Sequence, residues 1–170
     1  MRDPRVPSSV RLGGTDKRQL LQALRKRQVR LNQAAEALFE DRRFTPMSRR
    51  RVIEVAALTV DDLGFAEGAT HDQLTARALA SGFVECPLEL GPHLRLQFLD
   101  QAEGSVGFPA TRHRAPPGSI TIISAPLDDS DDTPKGFYLR RMDGVLWLRG
   151  YRSHAGYVWC PDDILIYARD

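Results

Sequence analysis

The dipeptide Asp143-Gly144 constrains this chain more than any other feature, because it separates two strand-like runs, FYLRRM and VLWLRGY. A two-residue type I′ turn needs positive φ at both central residues, which Asp-Gly supplies, and its twist matches that of the strands it joins. So short a turn also sets the register of every later pair. Arg141 then faces Leu146, Leu139 faces Leu148 and Phe137 faces Gly150, a mostly apolar set directed at the core. The opposite face pairs Tyr138 with Arg149 and Arg140 with Trp147. Guanidinium groups beside aromatic rings across a strand pair favour stacking. That face reads either as solvent-exposed aromatics shielded by arginine stems or as a platform for a flat ligand or a protein partner.

The rest of the chain is organised around this hairpin. Residues 1–14 carry Pro4, Pro7, Gly13 and Gly14 with few apolar anchors, and are expected to be a flexible tail. From Thr15, the expected cap, Leu20, Leu24, Leu31, Ala34 and Leu38 form a helical stripe. The stripe is one helix to about Glu40, or two helices broken near Gln28 and restarted at Asn32. Pro46 ends it, and RVIEVAALTV (51–60) reads as a strand. Thr70 caps a further helix with Leu74, Ala78 and Leu79 inward and Gly82 at its C-terminal end. Leu94, Leu96 and Phe98 alternate with Arg95 and Gln97, the period of a half-buried strand. Residues 101–118 form a long loop, SITIISAPL (119–127) a strand, DDSDD (128–132) an acidic turn, and Ile164–Tyr167 a last strand. The expected class is α+β. An N-terminal helical segment precedes a mostly antiparallel sheet of about five strands, with one further helix packed on it. One domain spans 15–170, as a basic helical arm (15–45) and a sheet body (50–170).

Charge is divided between these parts. Residues 1–51 hold 14 Lys and Arg against 5 Asp and Glu, a charge of +9, whereas residues 52–170 hold 10 against 17, a charge of −7. Arg25, Lys26, Arg27 and Arg30 would give the arm phosphate contacts on a nucleic acid. However, 21 of the 24 basic residues are arginine, a compositional bias that weakens that argument. The split reads first as a contact within the fold or between subunits. No apolar run approaches the roughly 18 residues of a spanning helix, so no membrane partner is expected. Two cysteines are too few for a disulfide scaffold and suit a reducing, cytoplasmic setting.

Candidate chemistry gathers in CPLELGPHLRLQFLDQ (86–101). His93 as acid–base group, Arg95 as charge stabiliser and Asp100 as a carboxylate are the minimum set for work on a phosphate ester or nucleic acid. The polar side of an exposed strand explains the same residues without catalysis. No nucleophile elbow, phosphate-binding loop or dinucleotide fingerprint occurs. Cys86 and His93 are seven apart and His154 and Cys160 six, too far for the usual zinc pairs, so neither metal nor cofactor is expected. DDSDD lacks the glycine and distal glutamate of a calcium loop.

The stretches LNQAAEALFEDRRF, CPLELGPHLRLQFLDQ, APPGSITIISAPL and PKGFYLRRMDGVLWLRG resemble a set of bacterial proteins of unknown function. The resemblance covers most of the chain from Asp16 onward and implies a small bacterial cytoplasmic protein. Some members bear an automatic label of helicase. This chain has no nucleotide-binding loop and is too short for a motor, so the label transfers no activity.

The residues thus point first to a non-catalytic binding domain for a small ligand or a partner protein. Its expected surface joins Tyr138, Arg140, Trp147 and Arg149 to Arg95 and Gln97. The alternative is an enzyme acting on nucleic acid or a phosphate ester through His93 and Arg95.

Overall fold

The computed structural model describes residues 5–105 and 115–170. In chain order the elements are β1 (Ser9–Leu12), α1 (Lys17–Lys26), β2 (Arg30–Leu31), α2 (Gln33–Glu40) and β3 (Arg51–Thr59). Next come β4 (Ala69–Thr70), α3 (His71–Ala80), β5 (Phe83–Val84), α4 (Leu90–Gln97) and β6 (Ile120–Ile122). The chain ends with β7 (Gly136–Met142), β8 (Val145–Tyr151), β9 (Val158–Trp159) and β10 (Ile164–Arg169).

The class is α+β, but the sheet differs from the expected one. It is a mixed sheet of eight strands in the order β1-β3-β10-β6-β7-β8-β2, with β5 joined to β10. The β10–β6 and β8–β2 pairings are parallel and the others antiparallel. The expected five-stranded, mostly antiparallel sheet is therefore corrected, and the reasons are physical. β2 and β5 have two residues each, too short to show a period. β1 lies inside the segment expected as a tail, where Val10 and Leu12 alternate inward over only four residues. The C-terminal β10 inserts between β3 and β6, and its residues Ile164–Ala168 are all buried, as a strand covered on both faces requires.

The helices also depart in detail. Asp16, not Thr15, caps α1: its carboxylate accepts from Gln19 N at 2.8 Å, while Gln19 Oε1 accepts from Asp16 N at 2.9 Å. The chain leaves the helix at Gln28 (φ +57°) and restarts at Asn32, so the stripe is two helices with β2 between them. α3 begins at its Thr70 cap and buries Leu74 and Ala78, but Leu79 is 61% exposed. The largest correction is α4, where a strand was expected over Leu94–Phe98. Leu90, Leu94 and Phe98 recur every four residues and are all fully buried, so the helical period prevails over the alternation.

The sheet separates two cores. On one face α1, α2 and α4 bury Leu20, Leu24, Leu38, Leu90 and Leu94 against Phe137, Leu139 and Leu148. On the other, α3 and the segment after β3 pack Leu63, Leu74 and Ala78 on Leu165 and Tyr167. Helix α2 approaches β8 so closely that a Cβ at Gly150 would lie 2.6 Å from the Ala34 carbonyl carbon.

Two helix-borne amides complete the hydrogen bonding at the sheet margins. Asn32 accepts from Gly150 N at 2.8 Å and donates to Gly150 O at 2.9 Å, extending the β2–β8 ladder by one step. Gln97 accepts from Arg11 N at 3.0 Å and donates to Arg11 O. Each amide imitates a strand on an edge that would otherwise invite pairing with another chain.

Candidate functional site

The β7–β8 hairpin adopts the expected register at all seven pairs, Met142 with Val145 through Gly136 with Tyr151. Asp143 (φ +51°) and Gly144 (φ +74°) form the turn in the left-handed region that Asp-Gly tolerates. Phe137, Leu139, Leu148 and Gly150 are buried under α2 and α4. Tyr138, Arg140, Trp147 and Arg149 stand on the other face and are half-buried.

These outward side chains form a ladder. The Arg149 guanidinium lies 5.1 Å from the Trp147 ring centre and 5.9 Å from that of Tyr138. Parallel pairing of β2 with β8 sets Arg30 opposite Trp147, and its guanidinium lies 6.0 Å from the same ring. The order is Arg30, Trp147, Arg149, Tyr138, charge and ring alternating. Arg140 donates to Ser105 O at 3.3 Å. Burial pushes the Arg140 guanidinium below its usual pKa and the Tyr138 phenol above its own, the latter opposed by Arg149 and Arg140. Arg30, Arg140 and Arg149 form no ion pair among the described residues. Arg30 is thus the one member of the predicted phosphate-binding set that joins the ladder. Arg25 and Lys26 lie in the last turn of α1, where cations complement the helix dipole, and Arg27 is its C-cap.

At Tyr138 the ladder meets a cavity of about 480 Å³, lined also by Thr121, Tyr151, His154, Tyr157 and Trp159. Its rings pack edge to face: Tyr151 with Trp159 at 5.8 Å, Tyr157 with Trp159 at 5.2 Å, His154 with Tyr157 at 6.3 Å. Arg152 stands on its rim. Burial raises the pKa of Tyr151 well above its usual value. A second cavity of about 300 Å³ lies across a shared wall of Tyr151, Ser153, His154 and Trp159. Sequence reasoning missed this wall. The signal was the run Tyr151–Trp159, in which three aromatic rings and a histidine fall within nine residues but follow neither period.

The other predicted residues lie elsewhere. Arg95 is expected on a surface with Gln97, yet it is fully buried in α4. Its guanidinium donates to Gln101 Oε1 at 2.6 Å, to Trp147 O at 3.3 Å and to Phe98 O. Gln101 in turn donates to Gly118 O and Leu139 O, so Arg95 anchors the chain on both sides of residues 106–114. Burial and the nearby Arg141 push its pKa down to about 10. Gln97 seals the β1 edge through its two bonds to Arg11. The predicted pairing of Arg95 and Gln97 with the hairpin's outer face is therefore corrected, because α4 packs on the inner face.

His93 is buried, its Nε2 3.5 Å from Glu89 Oε2, and Glu89 Oε1 accepts from Met47 N at 2.7 Å. Burial lowers the His93 pKa and raises that of Glu89. Asp100 is exposed and lies 3.9 Å from Arg5. None of His93, Arg95 and Asp100 lines either cavity at the hairpin, and Arg95 is fully buried whereas Asp100 is exposed.

Cys86 is a free thiol. Burial pushes the Cys86 thiol up to about 12, which leaves it unreactive. Among the described residues no three His, Cys, Asp or Glu side chains gather closely enough to hold a metal. In the acidic turn, Asp128 pairs with Arg43 at 2.8 Å, one contact joining the basic and acidic parts of the chain. The rest of the long loop expected over 101–118 lies, at 106–114, outside the described residues. No described helix is long and apolar enough to cross a membrane. Comparisons with protein-family models, with curated proteins and with solved structures gave no match.

Proposed function

We propose that this chain is a non-catalytic, cytoplasmic binding domain whose ligand is a small planar anion. The ligand stacks on the outer face of β7–β8 and enters the cavity beside Tyr138. One observation carries the reading: a guanidinium–ring ladder without ion pairs among the described residues runs directly into an aromatic-lined cavity of about 480 Å³. That volume lies within the range of small-molecule sites, roughly 300–1,000 Å³. Ring faces attract a flat group, worth about 1–3 kcal/mol for a stacked base. Arg149, Arg140 and Arg152 supply positive charge for an anionic substituent, and Arg offers the planar fork that phosphate and carboxylate accept. The free Cys86 thiol is consistent with a reducing compartment.

Adenosine monophosphate is a suitable probe, followed by tryptophan fluorescence. Saturable quenching is expected. Adenosine, which lacks the charge, and ribose 5-phosphate, which lacks the plane, should each bind about tenfold more weakly, the equivalent of ~1.4 kcal/mol. Tyr138→Ala should weaken the nucleotide by a similar factor. Linear, non-saturating quenching by the nucleotide, or equal binding of all three probes, removes the reading. Tight binding of a single strand with none of the mononucleotide would instead favour a nucleic-acid surface including Arg30.

A further inference from the structure

The second cavity has the opposite polarity to the first. Its rim carries Asp72 in the first turn of α3 and Asp129 and Asp131 in the turn before β7. These three carboxylates form no ion pair among the described residues. The nearby Lys135 ammonium is committed to carbonyl oxygens, Ser130 O at 2.6 Å and Asp128 O at 3.1 Å. It neutralises the rim only in part.

The lining of the cavity is unfinished. Ser124 and Trp159 both line it and are 3% and 4% exposed, yet Ser124 Oγ and Trp159 Nε1 have no hydrogen-bond partner among the described residues. A buried polar group left unpaired costs about 1–3 kcal/mol, so two together at one cavity point to an absent partner. An indole N–H can only donate, so the missing atom beside Trp159 is an acceptor. The carboxylates can only accept, so the atoms beside them are donors.

A bare metal ion does not meet these requirements, since among the described residues no three potential ligands converge. The positive charge must therefore sit on a larger body. Tyr151 and Trp159 present an apolar wall to that body, and aromatic walls also attract organic cations. We propose that this cavity binds a small hydroxylated organic ammonium ion. Its ammonium lies on the carboxylate side of the cavity, in the field of the separate Asp72, Asp129 and Asp131 groups, and a hydroxyl oxygen accepts from Trp159 Nε1 beside Ser124 Oγ. The proposal does not depend on the planar-anion reading, although the two cavities share a wall.

Titration of the ¹⁵N-labelled full chain with glucosamine tests it. The two indole N–H resonances are separated by a Trp147→Phe variant. The Trp159 resonance is expected to shift saturably while that of Trp147 stays in place. Glucose has the same frame without the charge, and cyclohexylamine has the charge without hydroxyls; each should bind about tenfold more weakly. The exposed double variant Asp129→Asn, Asp131→Asn keeps the core intact. It should weaken glucosamine about tenfold and leave the adenosine monophosphate titration unchanged. Ser124→Ala should weaken glucosamine as well. An unmoved Trp159 resonance, equal binding of glucose, or undiminished binding by the aspartate variant overturns the proposal.

Discussion

The two faces of the β7–β8 hairpin come from one alternating sequence but are finished differently. Inward, Phe137, Leu139, Leu148 and Gly150 lie under α2 and α4, and the fit is so close that Gly150 has no room for a Cβ. Outward, Tyr138, Arg140, Trp147 and Arg149 are half-buried and meet a cavity. Arginine marks the contrast. Arg95, beneath the inner face, is fully buried and holds three carbonyl oxygens. Arg149, on the outer face, lies against two rings and forms no ion pair among the described residues. The same group is a clamp where acceptors surround it and, on the proposed reading, a recognition element where its charge is uncommitted. Burial alone therefore does not decide the role of an arginine.

The largest expected effect lies on the inner side. Arg95→Ala removes the donor to Gln101 Oε1, Phe98 O and Trp147 O and leaves a void between α4 and β8. A loss of about 3 kcal/mol or more is expected in urea unfolding, from stranded buried acceptors and lost packing together. A loss below ~1 kcal/mol would show that the inner face does not depend on the clamp.

Arg95 also shows where the sequence stops being informative. The hairpin was legible because an Asp-Gly turn carries its own register, and the outer-face pairing of Tyr138 with Arg149 followed from it. The restart at Asn32 was only one of two readings of the stripe, because capping is local chemistry but the apolar stripe runs on through the break. The residues of α4 fit two periods at once, and the choice between them is made by Phe137 and the other groups α4 packs against. An arginine on the polar side of an expected strand reads as solvated. Only the tertiary fold brings the carbonyl of Trp147, 52 residues away, to within 3.3 Å of it. The cavity wall is distant in the same sense, since β4 pairs with β9 and Trp159 is thereby carried toward Tyr151. No local pattern records that pairing.

A second, smaller effect also belongs to the inner side and is read by pH. Burial holds His93 below its ordinary value of 6.5, so the folded protein keeps it neutral where the unfolded chain takes up a proton. Its contribution therefore falls as pH drops through that value. Glu89 acts in the opposite sense: its pKa is raised, so the folded state takes a proton first. Subtracting the curve of a His93→Gln variant from that of the wild type isolates the histidine. The wild type should lose more stability than the variant between about pH 7 and pH 5. Parallel curves would mean that His93 accepts its proton in the folded state, and that the inner face is wetter than its burial indicates.

The smallest effect on stability is expected on the outer face, where the largest effect on binding should appear. Arg149→Ala removes two cation–π contacts at a half-exposed position, worth about 0.5–1 kcal/mol each at most. Some of this returns as side-chain freedom, so the unfolding midpoint should move little. The same change removes the central positive charge of the ladder. Adenosine monophosphate should then bind about tenfold more weakly, and Arg149→Lys should recover only part of the loss, because an ammonium keeps the charge but not the stacking plane. If Arg149→Ala were as destabilising as Arg95→Ala, the outer arginine would also be a clamp. The ring ladder would then be part of the scaffold and not a surface held open for a ligand.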